Sequence, residues 1–158
     1  MFRKMRREKQ ALSREECVKL LKTQNRGVLA VQGDDGYPYC FPINHYYDEA
    51  EGVLYFHGGK AGHRVDAIKK DPKVSYCVYG DDEKREGDWA YYVKSVIVFG
   101  KARLVEGFDK TVAASLAITS KFPVPDGYAE SEVKKSGAAT LCVAVDIEHM
   151  SGKLVHEA

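Results

Sequence analysis

The stretch that most constrains this chain runs Tyr55-Phe56-His57-Gly58-Gly59-Lys60-Ala61-Gly62-His63-Arg64-Val65-Asp66-Ala67-Ile68-Lys69-Lys70-Asp71-Pro72. It begins as an apolar strand, Val53 to Phe56. It passes through a turn with three glycines and ends as a short helix that must stop before Pro72. A strand that empties into a Gly-rich turn and a helix start can hold a phosphate. Glycine lets backbone N–H groups approach closely, and a helix N-terminus is electropositive. Lys60, His63 and Arg64 add basic side chains at the same spot. A solvated surface turn would also accept these residues. The stretch is neither a Walker A loop nor a GxGxxG fingerprint.

A chain of 158 residues suits one domain, 1–158, with a single core. A formal net charge of +1 gives no global electrostatic argument for nucleic acid or a membrane surface. No apolar run reaches the roughly 18 residues that span a bilayer. The basic start, residues 1–10, has no apolar region after it, so it does not read as a signal peptide, and the expected location is cytoplasmic. The arm is either a solvated tail or a reach toward a neighbouring subunit. Cys17, Cys40, Cys77 and Cys142 form no CxxC pair, so they read as reduced, mostly buried thiols with no metal site.

Ser13 and Glu16 form a capping box that opens a helix, with Leu12, Cys17, Leu20 and Leu21 on one face. Gly27 is its expected stop. Val28–Val31 reads as a buried strand and Asp34-Asp35-Gly36 as a hairpin turn. The return strand, Tyr37 to about Tyr47, carries Pro38 and Pro42, so it must lie at an edge or bend. Its freed backbone near Pro42-Ile43-Asn44 is a place for a ligand to bond main chain.

Val53–His57 completes a meander. Lys73–Tyr79 and Trp89–Val105 are further strands, the second kinked at Gly100. An acidic surface loop, Gly80–Asp88, lies between them. Asp109 is placed to cap a helix running to about Ser120. A polar segment, Ala129–Ser136, precedes a last strand, Thr140–Ile147, and a polar tail from Met150. The order of elements predicts a mainly β fold: a six-stranded antiparallel split β-barrel with flanking helices.

Several phrases then match a known pattern in order. They are Gly36-Tyr37-Pro38-Tyr39, Pro42-Ile43-Asn44-His45-Tyr46-Tyr47-Asp48, Tyr55-Phe56-His57-Gly58 and Gly62-His63-Arg64, the last followed by Ile68 and Asp71-Pro72-Lys73-Val74. Ser95-Val96-Ile97-Val98-Phe99-Gly100-Lys101-Ala102 and Gly152-Lys153 come after. Together they resemble the FMN-binding split barrels related to pyridoxamine 5′-phosphate oxidase, and most closely the 5-nitroimidazole-resistance-type flavoproteins. The resemblance covers nearly the whole chain.

It implies FMN as cofactor and a homodimer with FMN at the subunit interface. By position, Phe41, Pro42, Ile43 and Asn44 would meet the flavin ring through main chain. His57 and Gly58 would lie over the ring and ribityl chain. Lys60, Gly62, His63 and Arg64 would grip the phosphate, and Ser95 and Val96 would come from the dimer mate. His57 is the candidate catalytic residue, unless it is a structural histidine at a strand end.

The departures concern substrate. Cys40 and His45 stand where the true oxidases carry Arg and Lys, and Glu148-His149-Met150 does not supply an Arg-x-His motif. The expected activity is therefore FMN-dependent oxidoreduction of a small molecule, a nitroaromatic being one candidate, rather than of pyridoxamine phosphate. The alternative is a non-enzymatic flavin- or haem-binding sensor on the same barrel, with His149 or His156 as iron ligand.

Overall fold

The structure, a computed structural model, describes residues 1–158 except for the side chain of Asp81. Helix α1, Arg14–Thr23, opens with the expected capping box. The Glu16 N–H donates to Ser13 Oγ at 3.2 Å, and the Ser13 N–H donates to Glu16 Oε2 at 2.9 Å. Its buried face is Cys17, Val18, Leu20 and Leu21. The helix ends at Gln24, which is already extended, and not at Gly27. Gly27 lies in the next strand, where a Cβ would come 2.7 Å from the Tyr76 ring. That glycine serves close packing and not helix termination.

Seven strands follow: β1 Arg26–Gln32, β2 Pro38–Asn44, β3 Tyr46–Asp48, β4 Val53–Gly59, β5 Lys73–Lys84, β6 Tyr91–Leu104 and β7 Thr140–His156. They form one antiparallel sheet in the order β2-β1-β5-β6-β7-β4-β3. Strands β2 and β3 are separated only by His45, yet they sit at opposite ends of that order. The sheet must therefore curl until its ends meet, which makes it the expected split barrel. The count is seven because the predicted single strand from Tyr37 to Tyr47 breaks at His45.

The break has a physical cause. His45 is fully buried and its N–H leaves the β1 ladder to donate to Asn25 O at 3.2 Å. The chain then turns away from β1 and joins β4 through Tyr46↔Tyr55, Tyr47↔Leu54 and Asp48↔Val53.

Two other strand boundaries differ from expectation. Strand β5 runs to Lys84 through a register shift between Gly80 and Glu83, so half of the predicted acidic loop is paired to β6. The predicted polar tail is the second half of β7, paired from Val98↔Met150 to Tyr92↔His156. The partnerless edge of the long β6 strand supplies the reason for that pairing. Buried Gly152 gives α1 room on this stretch, since a Cβ there would overlap Cys17 Sγ.

Helix α2 spans His63–Lys70 and α3 spans Phe108–Thr119. The predicted cap Asp109 lies inside the first turn of α3, and Gly107 takes the cap position at φ 97. The polar segment is a helix, α4, Tyr128–Ser136, with no buried residue. The predicted kink is present as a bulge between Phe99 and Gly100.

The core lies inside the curl. Tyr76, Phe56, Leu20, Leu29, Leu54, Val78, Val96 and Val98 are fully buried there. Cys17 and Cys142 are buried thiols, Cys77 is half-buried and Cys40 is exposed; all are unpaired. Among the described residues no helix is long and apolar enough to cross a membrane.

Candidate functional site: the open seam between β2 and β4

The curled sheet has one seam, and its two halves differ. On one side of His45 the chain itself closes it. On the other, the free edge of β2 faces the end of β4. Strand β4 pairs with β7 along its length, but β3 covers its other edge only from Val53 to Tyr55. From Phe56 to Gly59 that edge has no strand partner, and β2 pairs only with β1. Two runs of unpaired main chain thus face one gap, as Pro38 and Pro42 led one to expect of an edge strand.

The gap has an apolar floor, lined by Leu29, Phe41, Ile43, Phe56, Val65 and Ile68. Its lip carries His57, Gly58 and Arg64. Beside it lies a polar hollow of about 370 Å³ lined by Arg26, Pro42, Ile43, Asn44 and His57. A third hollow, about 180 Å³, lies between His57 and helices α3 and α4. His57 lines all three.

Arg64 is the second residue of α2, and its guanidinium lies across the Gly58 backbone. A Cβ built on Gly58 would overlap that guanidinium, so only glycine leaves room for it. Among the described residues no carboxylate pairs with Arg64. Its guanidinium lines the gap without a carboxylate partner among the described residues. The N–H groups of His63 and Arg64 at the start of α2 have no backbone partner among the described residues, since Val65 and Asp66 are the first to bond back, both to Gly62 O. Burial, and then the nearby Arg64 charge, hold the His57 pKa below the usual imidazole value. His57 is therefore a neutral ring at pH 7, with one nitrogen donating and the other accepting.

Phe41, Pro42, Ile43, Asn44, His57, Gly58 and Arg64 are brought together at the seam. The other predicted residues are placed differently. His63 turns toward the β1–β2 turn, stacked on Tyr39 at 4.1 Å with Nε2 3.5 Å from Asp34. Lys60 is exposed, and Gly62 provides the turn into α2 at φ 118. Ser95 lines a separate hollow beneath the N-terminal arm with Arg3, Lys4 and Lys153. Val96 is fully buried in the core, its backbone paired to both neighbours through Val78 and Gly152.

Sequence reasoning missed Arg26, which opens β1 and carries no signal of its own. It also missed Glu132, because α4 was read only as a short polar segment, and Ser115, which lies on the predicted helix α3 with no motif around it.

These features fit what a flavin phosphate ester needs. An unpaired guanidinium and free helix N–H groups suit the phosphate, main-chain edges suit the polar rim of the ring, and an apolar floor suits its face.

Comparison with known proteins agrees with the fold. Comparison with curated proteins yields no match. A Mycobacterium smegmatis FAD and heme binding protein is 27% identical, with a TM-score of 0.74 over 96% of this chain and 75% of that one. A Bacteroides thetaiotaomicron structure assigned to 5-nitroimidazole antibiotic resistance is 16% identical, with a TM-score of 0.78 over 92% of this chain and 87% of that one. A Mesorhizobium loti FAD-binding protein is 24% identical, with a TM-score of 0.67 over 92% and 96%. The model for pyridoxamine 5′-phosphate oxidase matches residues 13–154, the capping box through to β7, and the chain belongs to that family.

Proposed function

We propose that this protein is a flavoprotein that holds FMN in the open β2–β4 seam and serves oxidoreduction of a small molecule. The observation that carries the reading is Arg64, unpaired by any carboxylate among the described residues and seated on Gly58 at the mouth of two unpaired strand edges. Three of the similar structures bind flavin, which supports a flavin over other phosphate esters. The bound flavin would supply the hydride or electron chemistry. The chain's own tasks are then separable. Arg64 and the α2 N-terminus hold the phosphate. The β2 edge from Phe41 to Asn44 offers main-chain donors and acceptors. His57, neutral and half-buried, places one N–H and one lone pair at the reacting face.

Pyridoxamine phosphate does not fit as substrate. Position 45, basic in the true oxidases, is here a buried histidine engaged with Tyr76 and Leu21 O. The haem alternative loses support from the contacts of its two candidate ligands. His149 clusters with the rings of Phe2 and Phe99, and His156 is held by Asp88 and Tyr92.

The working unit under this reading is a homodimer. Outward rows Val28–Cys77–Ile97 and Ala30–Ser75–Phe99 run across β1, β5 and β6 without a charge. Ile97 and Phe99 remain 40% and 39% exposed. A twofold contact would bury them, and Phe99→Asp should give monomers in sedimentation. The functional test is the absorption spectrum of purified protein, followed by release and chromatography of its chromophore. Released FMN is the expected result. FAD would revise the cofactor, a Soret band would favour haem, and a colourless protein that binds no added flavin would end the reading.

A further inference from the structure

The 180 Å³ hollow beside His57 is not needed to hold a flavin phosphate or the β2 edge, and its lining is distinctive. Its apolar lining is Val112 and Leu116 of α3 with Val133 of α4. Ser115 of α3 and Glu132 of α4 also belong to the lining. Ser115 Oγ is itself buried, so of these two residues it is Glu132, with a partly exposed side chain, that is open to a ligand. Glu132 is the one carboxylate in the lining, and Lys135 meets it only at 3.9 Å. For scale, an engineered cavity of about 150 Å³ accepts benzene.

We propose that the groove between α3 and α4 is the substrate pocket of the seam, sized for one ring and selective for a ligand that presents an amine or ring N–H to Glu132. The proposal rests on the flavin reading for the identity of the reacting face, because His57 lines both the groove and the seam. Glu132 on α4 would orient such a ring with its polar edge on that helix, with Val112 and Leu116 of α3 against its face. A carboxylate ligand would meet Glu132 with like charge and be disfavoured.

Benzylamine and benzoate are suitable probes, being one-ring ligands of opposite charge. Calorimetric titration of the full chain at pH 7.5 should show benzylamine bound at least tenfold more tightly than benzoate. Glu132→Gln should lower benzylamine affinity about tenfold, the loss of one charge-assisted hydrogen bond, and leave benzoate unchanged or improved. Val133→Trp, which fills the groove, should lower the affinity of benzylamine as well. Failure of either probe to bind preferentially, or an unchanged preference in Glu132→Gln, overturns the proposal. The flavin spectrum of the same samples keeps the two readings apart. A colourless protein with the benzylamine preference intact removes the cofactor assignment and keeps the pocket; a flavin-loaded protein without the preference does the reverse.

Discussion

Two histidines, His45 and His57, mark the two halves of the barrel seam, and they have opposite surroundings. His45 is fully buried and its ring is fully occupied. Nε2–H donates to Leu21 O at 2.6 Å, and Nδ1 accepts from Tyr76 Oη at 2.8 Å. Its carbonyl accepts from Lys121 Nζ at 3.1 Å, and the same ammonium bonds Gln24 O at 2.5 Å. The end of α1, the strand break and the residue after α3 are thereby tied together. His57 is half-buried, lines three hollows and has no hydrogen-bond partner among the described residues for its ring. A satisfied buried ring stabilises a fold; a desolvated ring with spare donor and acceptor capacity is available to a ligand.

The largest effect should come from breaking the closed half. His45→Ala takes one partner from each of Leu21 O and Tyr76 Oη, which keep Lys121 Nζ and Ile43 O among the described residues, and opens a cavity, at a cost of about 3–4 kcal/mol. His57→Ala should change stability by less than about 1 kcal/mol. Urea denaturation of the two variants compares them directly, and equal losses would erase the distinction between the halves.

Acid should produce the next effect. Burial, then the Lys121 charge, lowers the His45 pKa from 6.5 to about 4. Between those values the unfolded chain takes up a proton that the folded chain refuses. The contribution is fully present above pH 6.5 and is lost as pH falls toward 4, by roughly 3 kcal/mol in all. His57 is lowered too and adds with the same sign. Stability curves of the parent and His45→Gln separate the two, since the variant should lose most of the slope in this window.

A smaller effect sharpens the open half. Gly58→Ala places a methyl group where the Arg64 guanidinium rests, without removing any charge. FMN affinity should fall about tenfold, equivalent to about 1.4 kcal/mol, while the fold persists. Fluorescence titration measures this, and unchanged affinity would mean that Arg64 works from another position.

Much of the fold was legible because the signals were local. Ser13 and Glu16 announced α1, Pro38 and Pro42 announced an edge strand, and Gly100 announced a bulge. The His45 break was not legible. It depends on Tyr76, 31 residues away, and on Lys121, 76 residues away. Nothing next to His45 or His57 in sequence tells which one faces a core. The second half of β7 was hidden by its polar residues, since its pairing is dictated by the length of β6. Helix α4 was hidden because it buries no residue, so its composition carries no apolar stripe, and the groove it forms went unread with it. At the seam, Arg64 and Gly58 were legible as a basic residue after a Gly-rich turn. His63 shared that pattern, and only the Tyr39 ring shows that it turns elsewhere.

The central claim is that the open seam holds a flavin by its phosphate through Arg64. The most direct measurement compares the affinities of FMN and riboflavin, which lacks the phosphate, in the parent and in Arg64→Ala. The parent should prefer FMN. Arg64→Ala should lose about 2–3 kcal/mol of FMN affinity, roughly 30- to 150-fold, with riboflavin affinity unchanged. A preference for FMN that survives intact in Arg64→Ala would contradict the account.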